Sequence, residues 1–267
     1  MAEGPAAVRE ALAGTADGAP AAHAAAAHAA GVHAAGVIEL FATPAARDRF
    51  PDLIAAAVAA GVPLTIITDE AAAGLSETVT PQGLVAVCVL PQPDLATVAA
   101  GHPSLVVVLA DIRDPGNAGT IVRTAAAVGA DAVILAGDCV DPYNGKSVRA
   151  SAGAIFHLPP VRGAGLPQIA AVLGEAGLQV LAADGGGPVD LDGLDADGGL
   201  AGPTAWVFGN EAHGLSAEAS ASAHLRVRIP MSARAESLSV GAAAAICLYA
   251  SAKAQRAARA DDARGHR

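Results

Sequence analysis

The polar residues that could do chemistry fall in three loops, and each loop follows an apolar run. DIRDPGNAG comes after LVVVLA, FGNEAHGLS overlaps the end of TAWVFG, and IPMSARAESLSVGAA comes after LRVR. The first loop leads into a helix that carries Arg123, an unusual basic residue in an otherwise small and apolar segment. Because ligands bind at the carboxyl ends of parallel strands, we expect the three loops to form one binding site.

Taken alone, each loop has an ordinary structural explanation. Asn117 could simply cap a helix, Pro and Gly form turns in any protein, and Arg123 could be a solvated residue of the following helix. Ser237 precedes an Ala-rich run and is a ready N-cap. Three such loops after three strands favour the functional interpretation.

The segments between these loops alternate between apolar strands and helical patterns. From Leu105 onwards the strands are LVVVLA, DAVILAG, LQVLAA, TAWVFG and LRVRIP; the helices include one from Asn117 to Val128, ended by Gly129, and a long Ala-rich one from Ser237. Near-continuous apolar strands separated by helices predict a parallel sheet covered on both faces, and therefore an α/β fold.

The chain also divides along its length. Upstream, VIELFA and PLTIIT flank the Ala-rich helix PDLIAAAVAAG, and the Pro-rich VLPQPDLATVAAGHPS indicates a linker. We predict a small α/β domain over residues 1–90, a linker over 91–104, a larger domain over 105–255 and a disordered basic tail over 256–267.

Composition limits the class of protein. The 267 residues are 53% hydrophobic but only 3% aromatic, which predicts an aliphatic core of helices packed on a sheet. No apolar run is long enough to cross a membrane, and the acidic start MAEGPAAVREAL lacks the features of a signal peptide. Cys88, Cys139 and Cys247 lie far apart in apolar contexts, which indicates reduced, buried thiols in a cytoplasmic protein without a metal cluster.

The net charge of −10 argues against a broad electrostatic attraction to phosphate. The first 100 residues contain three arginines, no lysine and ten carboxylates. Basic residues become more frequent later, in Lys146, Arg149, Arg226, Arg228, Arg234 and the C-terminal AKAQRAARADDARGHR. A nucleic-acid partner would therefore have to be held by a few placed cations.

His23, His28 and His33 recur every five residues in an Ala-rich, low-complexity stretch. Such a tract could bind a metal, but this spacing does not keep the side chains on one helical face. We therefore predict that these histidines face solvent and that the protein needs no metal.

Together, the three loops and their flanking strands resemble the SpoU (TrmH-like) branch of the SPOUT methyltransferases. The matching segments are NAGTIVRTAAAVGADAVIL, WVFGNEAHGLS, and IPM followed by ESLSVGAAAAICLYA, in the family's order and at suitable spacing. The segment that ends in LSETVTPQGLVAVCVLP resembles the family's L30e-like substrate domain. The resemblance implies an enzyme that transfers a methyl group from S-adenosyl-L-methionine (AdoMet) to a ribose 2′-hydroxyl of RNA, with rRNA favoured over tRNA.

The same resemblance implies a deep trefoil knot in the larger domain, formed where the last motifs thread to make the cofactor pocket. It also implies a homodimer packed across that knot. Periodicity alone would exclude a knot, because knots are rare in protein folds.

Site residues follow from the resemblance. A mostly backbone cradle for the cofactor is expected from Phe208, Gly209, Asn210, Gly214, Ile229, Met231, Ser237 and Leu238, and the residues expected to act on the substrate are Asn117, Arg123, Glu211, Ser237 and Ser239. Arg123 matches the family's catalytic arginine. Because a guanidinium hardly loses its proton, we expect Arg123 to hold the phosphate beside the target ribose and stabilise the reacting oxygen. Asn117 would orient Arg123 or its neighbouring loop, and Glu211 would fix Asn117 or backbone amides.

The chain departs from the family in two places. Relatives usually read SLNV where this chain has SLSV, so Ser239 replaces an expected asparagine and could act through a bridging water. Relatives also usually carry a basic helix before a similar EGP segment, whereas this chain opens at MAEGP. The second departure indicates either a start further upstream or a different way of binding RNA.

Two other functions remain open from the sequence. The acidic first domain and Ser239 favour a relative that binds RNA or the ribosome without turnover, whereas Arg123 and Glu211 oppose it. A nucleotide-binding α/β protein could use DPGNAG as a phosphate turn, but neither G-x-G-x-x-G nor G-K-[ST] follows LVVVLA.

Overall fold

Two separate β-sheets organise the part of the chain that the computed structural model describes, namely residues 1–13, 36–210, 213–232 and 237–265. The smaller sheet is built from strands between residues 2 and 88, and the larger one from strands between residues 105 and 228. The predicted histidine tract, His23, His28 and His33, lies outside the described residues.

The smaller sheet has four strands in the order β1-β4-β2-β3. Its strands are β1 (Ala2–Glu3), β2 (Val37–Ala42), β3 (Leu64–Ile66) and β4 (Leu84–Cys88), and its helices are α1 (Gly4–Ala13), α2 (Pro44–Arg49), α3 (Pro51–Ala59) and α4 (Asp69–Leu75). Strand β4 runs antiparallel to β1 and β2, whereas β2 and β3 are parallel. The first unit is therefore an α/β unit with a mixed sheet.

The larger sheet has seven strands in the order β7-β6-β5-β10-β8-β11-β9, and every neighbouring pair is parallel. Its strands are β5 (Leu105–Ala110), β6 (Ala132–Ala136), β7 (Val161–Ala164), β8 (Gln179–Ala183), β9 (Val189–Asp190), β10 (Thr204–Phe208) and β11 (Leu225–Arg228). The predicted parallel α/β sheet is confirmed. The short strand β9 carries too few residues to give a period-2 pattern, and the sequence did not predict it.

Helices cover both faces of this sheet. They are α5 (Leu95–Ala100), α6 (Pro115–Val128), α7 (Gly145–Ala150), a 3₁₀ turn (Ala154–Phe156), α8 (Leu166–Glu175), α9 (Leu191–Ala196), α10 (Ala217–Ala221) and α11 (Val240–Gly265). Alternate residues of β5 enter opposite cores: Leu105, Val107 and Leu109 face one cluster, and Val106, Val108 and Ala110 face the other. This two-sided burial explains why the strand is apolar throughout.

Helix α6 begins at Pro115, two residues before the predicted start at Asn117, and ends at Val128 as predicted. Asp114 is the N-cap and accepts a hydrogen bond from the backbone N–H of Asn117 at 2.9 Å, so Asn117 is not the cap. Pro115 occupies the first turn, and Gly129 ends the helix in the left-handed region at φ +84°. The helix packs tightly on α7 through Gly119, where a Cβ would overlap the carbonyl oxygen of Ser147.

Three predicted segment boundaries need correction. The linker at 91–104 contains helix α5, which Asp94 caps through the backbone N–H of Thr97. Helix α11 starts at Val240 rather than at Ser237, and it continues to Gly265 where we predicted a disordered tail. Alanine, arginine and lysine are strong helix formers, so a charged composition did not exclude a helix.

Helix α11 is fixed to the sheet by a buried polar contact. Trp206 of β10 is fully buried, and its Nε1 donates a hydrogen bond to Ser251 Oγ at 2.8 Å. Trp206 also stacks on Phe208, with ring centroids 6.1 Å apart. The indole N–H would otherwise lack a partner in an apolar core, so this contact sets the rotation of α11 about its axis.

The three cysteines lie within or at the edge of the hydrophobic core. Cys247 is buried and desolvation raises its pKa to about 12, whereas Cys88 and Cys139 are half-buried. All three are free thiols. Within the described residues, no helix is both long and apolar enough to span a membrane.

The two sheets are joined by a cluster of polar contacts around Glu3. Its carboxylate pairs with Arg149 of α7 at 3.1 Å and accepts hydrogen bonds from the hydroxyls of Ser76 and Thr78. Burial alone would raise the pKa of Glu3, but these hydrogen bonds and the Arg149 charge together outweigh burial and lower it. His157 and Glu10 make a second contact of 2.7 Å between the two parts of the chain.

Replacing Glu3 with Gln should destabilise the fold at neutral pH by about 1–3 kcal/mol, because Arg149 would lose its nearest carboxylate and keep only the longer 3.6 Å contact with the exposed Glu77. The lowered pKa means that the carboxylate stabilises the fold above its ordinary pKa and loses this effect as the pH falls through the lowered value. The difference between wild type and Glu3→Gln in urea unfolding should therefore shrink at about pH 3.

Asp52→Asn is the control, because Asp52 forms an exposed ion pair with Arg9 within the smaller unit. It should change the unfolding midpoint much less than Glu3→Gln does. An equal loss for Glu3→Gln at both pH values would contradict the role assigned to this carboxylate.

Candidate functional site

The three polar loops leave the larger sheet at the same edge. Strands β5, β10, β8 and β11 are adjacent, and their ends are in register, with Phe208 beside Leu109 and Val227 beside Ala183. The loop that follows β10 therefore lies next to the loop that follows β5, and the loop that follows β11 leaves the same edge of the sheet on the far side of β8. This parallel arrangement brings together segments that are more than a hundred residues apart in sequence.

A cleft of about 210 Å³ lies at this edge. Its described lining consists of Ala183, Asp184, Gly185, Phe208, Gly209, Asn210, Gly214, Val227, Ile229, Met231, Ser237, Leu238, Val240 and Ala243. All eight residues predicted to cradle the cofactor are among them. Small and apolar side chains dominate this lining, so much of the wall is backbone.

A backbone hydrogen bond within the loop after β10 stabilises its folded-back conformation. The N–H of Gly214 donates to the carbonyl oxygen of Asn210 at 2.8 Å, and Gly214 has φ +66°. A Cβ on Gly209 would lie 2.5 Å from the carbonyl carbon of Gly214 and 2.7 Å from the nitrogen of Leu215. The loop can fold back this closely because residue 209 has no side chain.

The side chain of Asn210 links the second loop to the first. Its Nδ2 donates to the carbonyl oxygen of Asp111 at 2.9 Å, directly after β5. This amide therefore ties together the ends of two neighbouring strands, and its position at the cleft is set by a backbone partner. The sequence predicted that Asn210 binds the cofactor, and the structure adds this structural contact.

The start of α6 is fixed by charge as well as by its cap. Lys146 of α7 pairs with Asp114 at 2.9 Å. The hydrogen bond from Lys146, together with the one from the Asn117 N–H, lowers the pKa of Asp114. Asn117 is half-buried, and a Cβ on Gly241 would lie 3.7 Å from its Oδ1. The first and third motifs thus meet at Asn117 and Gly241.

Arg123 lies two turns further along α6 and is exposed. Within the described part of the chain, its guanidinium makes no hydrogen bond or ion pair. It does not belong to the described lining of the cleft. Its donors are therefore available to an external anion such as a phosphate.

The predicted serines have different positions. Ser237 lines the cleft and is exposed, whereas Ser239 precedes α11 and its Oγ accepts a hydrogen bond from the Ala242 N–H at 3.3 Å. Ser239 is therefore the N-cap that the sequence analysis had considered for Ser237. Glu211 lies outside the described residues.

Sequence reasoning missed one wall of the cleft. Ala183, Asp184 and Gly185 line it from the loop after β8, and Val227, Val240 and Ala243 complete it. A usable signal was present, because LQVLAA is an apolar strand followed at once by DGGG. The strand order decides that this loop borders the site, since β8 is the direct neighbour of β10.

A parallel sheet whose adjacent strands end at a cleft of backbone and small side chains, entered by these three motifs, is the arrangement of the SPOUT class of α/β proteins. Residues 104–249 match the model of the SpoU rRNA Methylase family. The chain belongs to this family. Residues 25–94 match the model described as RNA 2′-O ribose methyltransferase substrate binding.

Relatives and solved structures agree with this membership. The chain is 40% identical over 102 residues to the 23S rRNA (guanosine(2553)-2′-O)-methyltransferase RlmP of Bacillus subtilis, a match that covers 38% of this chain and 39% of that protein. It is 36% identical over 143 residues to the 23S rRNA (uridine(2479)-2′-O)-methyltransferase of Streptomyces viridochromogenes, covering 51% of this chain and 48% of that one. The matches thus span less than two thirds of the curated relatives' length.

The structural match is more extensive. An AdoMet-bound rRNA methyltransferase from Sinorhizobium meliloti superposes with a TM-score of 0.70 at 28% identity, covering 92% of this chain and 94% of that chain. The S. viridochromogenes methyltransferase AviRb in complex with AdoMet gives a TM-score of 0.71 at 24% identity, over 94% and 98% of the two chains, which supports the shared fold. Both the small and the large unit are therefore common to these proteins.

Gly209→Ala should destabilise the protein by about 1–3 kcal/mol, because the new methyl group would meet backbone atoms that cannot rotate away. Thermal unfolding measures the effect. Gly185→Ala is the matched control: residue 185 lines the same cleft, yet its added Cβ would meet nothing within 4 Å. Equal stability of the two variants would refute the close backbone contact at Gly209.

Ser239→Ala should cost about 0.5–2 kcal/mol, because α11 loses the oxygen that caps it. Ser239→Asp should restore most of this stability, since aspartate is an equally good N-cap. Chemical denaturation of the two variants checks the prediction. If alanine leaves the unfolding free energy unchanged, Ser239 does not serve as the cap.

Proposed function

We propose that this protein is an AdoMet-dependent RNA methyltransferase that methylates a ribose 2′-hydroxyl, with rRNA as its substrate. The observation that carries the proposal is the cleft, because all eight residues expected to cradle the cofactor line it although they come from two separate motifs. Family membership and the AdoMet-bound S. meliloti structure point to the same cofactor.

The residues of the cleft fit AdoMet. Its apolar lining, from Phe208, Val227, Ile229 and Leu238, suits an adenine ring, and the backbone exposed at Gly209 and Gly214 suits hydrogen bonds to its polar edge. When bound, AdoMet supplies an electrophilic methyl group on a sulfonium. The protein needs only to orient this group, and no metal is required by the proposed chemistry. Among the described residues, no group of three or more metal-binding side chains occurs.

Arg123 is assigned to the substrate side of the reaction. The exposed guanidinium can bind the phosphate next to the target ribose and lower the energy of the oxygen as its proton leaves. Asp114 and Lys146 fix the start of α6, which sets where Arg123 stands. Asn117, beside Gly241, joins this helix to the cleft. Ser237 contributes to the cleft wall, and Glu211 keeps its expected role at Asn117 or the loop amides.

RNA binding must rely on selected cations. Several arginines are already paired within the chain, including Arg9, Arg162 and Arg226. With a net charge of −10, the protein cannot attract RNA broadly, so Arg123 and the basic end of α11 are the suitable contacts.

We assign residues 1–90 to substrate recognition and residues 105–255 to catalysis. A cytoplasmic location agrees with three free thiols.

We further propose a homodimer that packs across a trefoil knot in the larger unit. Helix α11 exposes Ile246 (40%) and Tyr249 (59%), and the adjacent cleft exposes Met231 and Leu238. A second copy would remove this apolar surface from water. The parallel strand order is compatible with the knot.

Arg123→Ala should lower methyl transfer to rRNA by about 10²–10³-fold while AdoMet affinity stays within a few-fold, since Arg123 stabilises the transition state and lies outside the cleft lining. Single-turnover transfer of a labelled methyl group and calorimetric titration with AdoMet measure the two effects. Arg162→Ala, which breaks an ion pair with Asp141 away from the cleft, is the control.

Loss of AdoMet binding in Arg123→Ala would show that the residue belongs to the cofactor site. Absence of transfer by the wild-type protein to any rRNA, with AdoMet still bound, would favour an RNA-binding relative without turnover. Mass spectrometry of RNA nucleosides from a deletion strain would identify the modified nucleotide.

The wild-type protein should be a dimer at micromolar concentration by light scattering, and Tyr249→Glu should shift it to a monomer because the charge would be buried at the interface. Val58→Glu, which changes a residue of the smaller unit that is 63% exposed, should leave the dimer intact. A monomeric wild type that binds AdoMet tightly would contradict the proposed assembly.

A further inference from the structure

Asp184 has a special position in the cleft. Among its described lining residues, Asp184 has the only ionisable side chain. It directly follows strand β8, and β8 pairs with β10, whose end contributes Phe208 and Gly209 to the same lining. The side chain is 25% exposed, so the carboxylate is reachable from the cleft without being free in solvent.

The carboxylate is held in a fixed orientation. Arg226 Nε of β11 donates to Asp184 Oδ2 at 2.8 Å, and the backbone N–H of Gly186 donates to Oδ1 at 2.9 Å. Arg226 also reaches the Gly186 carbonyl oxygen at 3.4 Å. A Cβ on Gly187 would lie 2.7 Å from the Arg226 carbonyl oxygen, so the loop lies against β11 along its length. Such a constrained side chain can present its remaining lone pairs in one direction.

The pairing decides what kind of group Asp184 can recognise. Arg226 already neutralises the carboxylate, which weakens its attraction for the positive sulfonium or ammonium of AdoMet. Each carboxylate oxygen nevertheless keeps a free lone pair for a neutral donor. Two neighbouring hydroxyl groups, as in a ribose, are such donors. In dinucleotide-binding α/β proteins an acidic residue placed near the cofactor-binding loop accepts from a ribose hydroxyl in the same way.

We propose that Asp184 binds the ribose hydroxyl groups of the cofactor, and that Arg226 is the residue that positions it. This assignment rests on the proposed function, because it takes AdoMet as the occupant of the cleft. It gives a function to the part of the cleft lining formed by Ala183, Asp184 and Gly185, which lies outside the three sequence motifs. It also gives a role to two arginines of β11, since Arg228 holds the same loop by donating to the carbonyl oxygens of Gly187 and Pro188 at 3.0 Å.

The test compares ligands with and without ribose hydroxyls. The wild-type protein should bind 5′-methylthioadenosine, which lacks the charged amino-acid end of AdoMet, about tenfold or more tightly than its 2′,3′-dideoxy analogue in calorimetry. In Asp184→Asn this preference should fall to within about twofold, because the neutral amide is a weaker acceptor and its NH₂ competes for the same space. Affinity for AdoMet should fall by the same factor as affinity for 5′-methylthioadenosine.

The matched control is Asp195→Asn. Asp195 is 28% exposed and pairs with Lys253 at 3.4 Å, so it resembles Asp184 in burial and pairing, but it does not line the cleft. This variant should keep the full preference for the ribose form. Arg226→Gln should weaken both AdoMet and 5′-methylthioadenosine, and Arg226→Lys should recover part of the loss because the cation is retained.

The possible failures are distinguishable. A wild-type protein that binds neither AdoMet nor 5′-methylthioadenosine would overturn the proposed cofactor and this assignment with it. Normal wild-type binding with an unchanged ribose preference in Asp184→Asn would overturn the assignment alone. If Asp184→Asn weakens AdoMet but leaves 5′-methylthioadenosine unaffected, Asp184 recognises the charged end of the cofactor, and the ribose proposal is wrong.

Discussion

The site depends on the close contact of backbone with backbone at Gly209. There the chain passes within van der Waals distance of Gly214 and Leu215, which leaves no room for a side chain. The hydrogen bond from Gly214 to Asn210 closes the loop, and the Asn210 side chain ties it to the end of β5. Because these contacts are made by backbone and one amide, the cleft keeps its shape while presenting polar backbone atoms to a ligand.

Charge pairing inside the chain has a consequence for recognition. Most of the basic side chains that the structure describes already face a carboxylate of the same chain, as Arg149 faces Glu3 and Arg228 faces Asp190. These pairs hold loops and units together and contribute little attraction for a distant polyanion. Arg123, exposed and without such a partner in the described residues, keeps its donors available to an external anion, which supports its proposed contact with a substrate phosphate. Under the proposed function, the position of a few cations rather than the net charge would attract the RNA.

The smaller unit is connected to the start of α6 by a continuous set of contacts. Glu3 holds Arg149 on α7, α7 packs on Gly119 of α6, and Lys146 at the other end of α7 pairs with Asp114. A displacement of the smaller unit would therefore shift Asp114, the N-cap of the helix that carries Asn117 and Arg123. Packed elements of this kind transmit small shifts because they have few voids to absorb them.

The sequence by itself determined the parallel α/β architecture, because apolar strands, a Pro and Gly turn and an Ala-rich helix are local patterns. The resemblance of its three motifs to the SpoU family led to the expectation that eight residues cradle the cofactor, and these eight residues line the cleft. The same patterns could not fix which serine caps α11. Ser237 and Ser239 are both suitable N-caps, and only the path of the chain selects Ser239.

Tertiary structure alone decided that Asp184 borders the cleft and that Glu3 meets Arg149, 146 residues away. In both cases the deciding contact joins residues that are remote in sequence. Strand order and helix packing bring such residues together, and neither is encoded in the periodicity of any single segment.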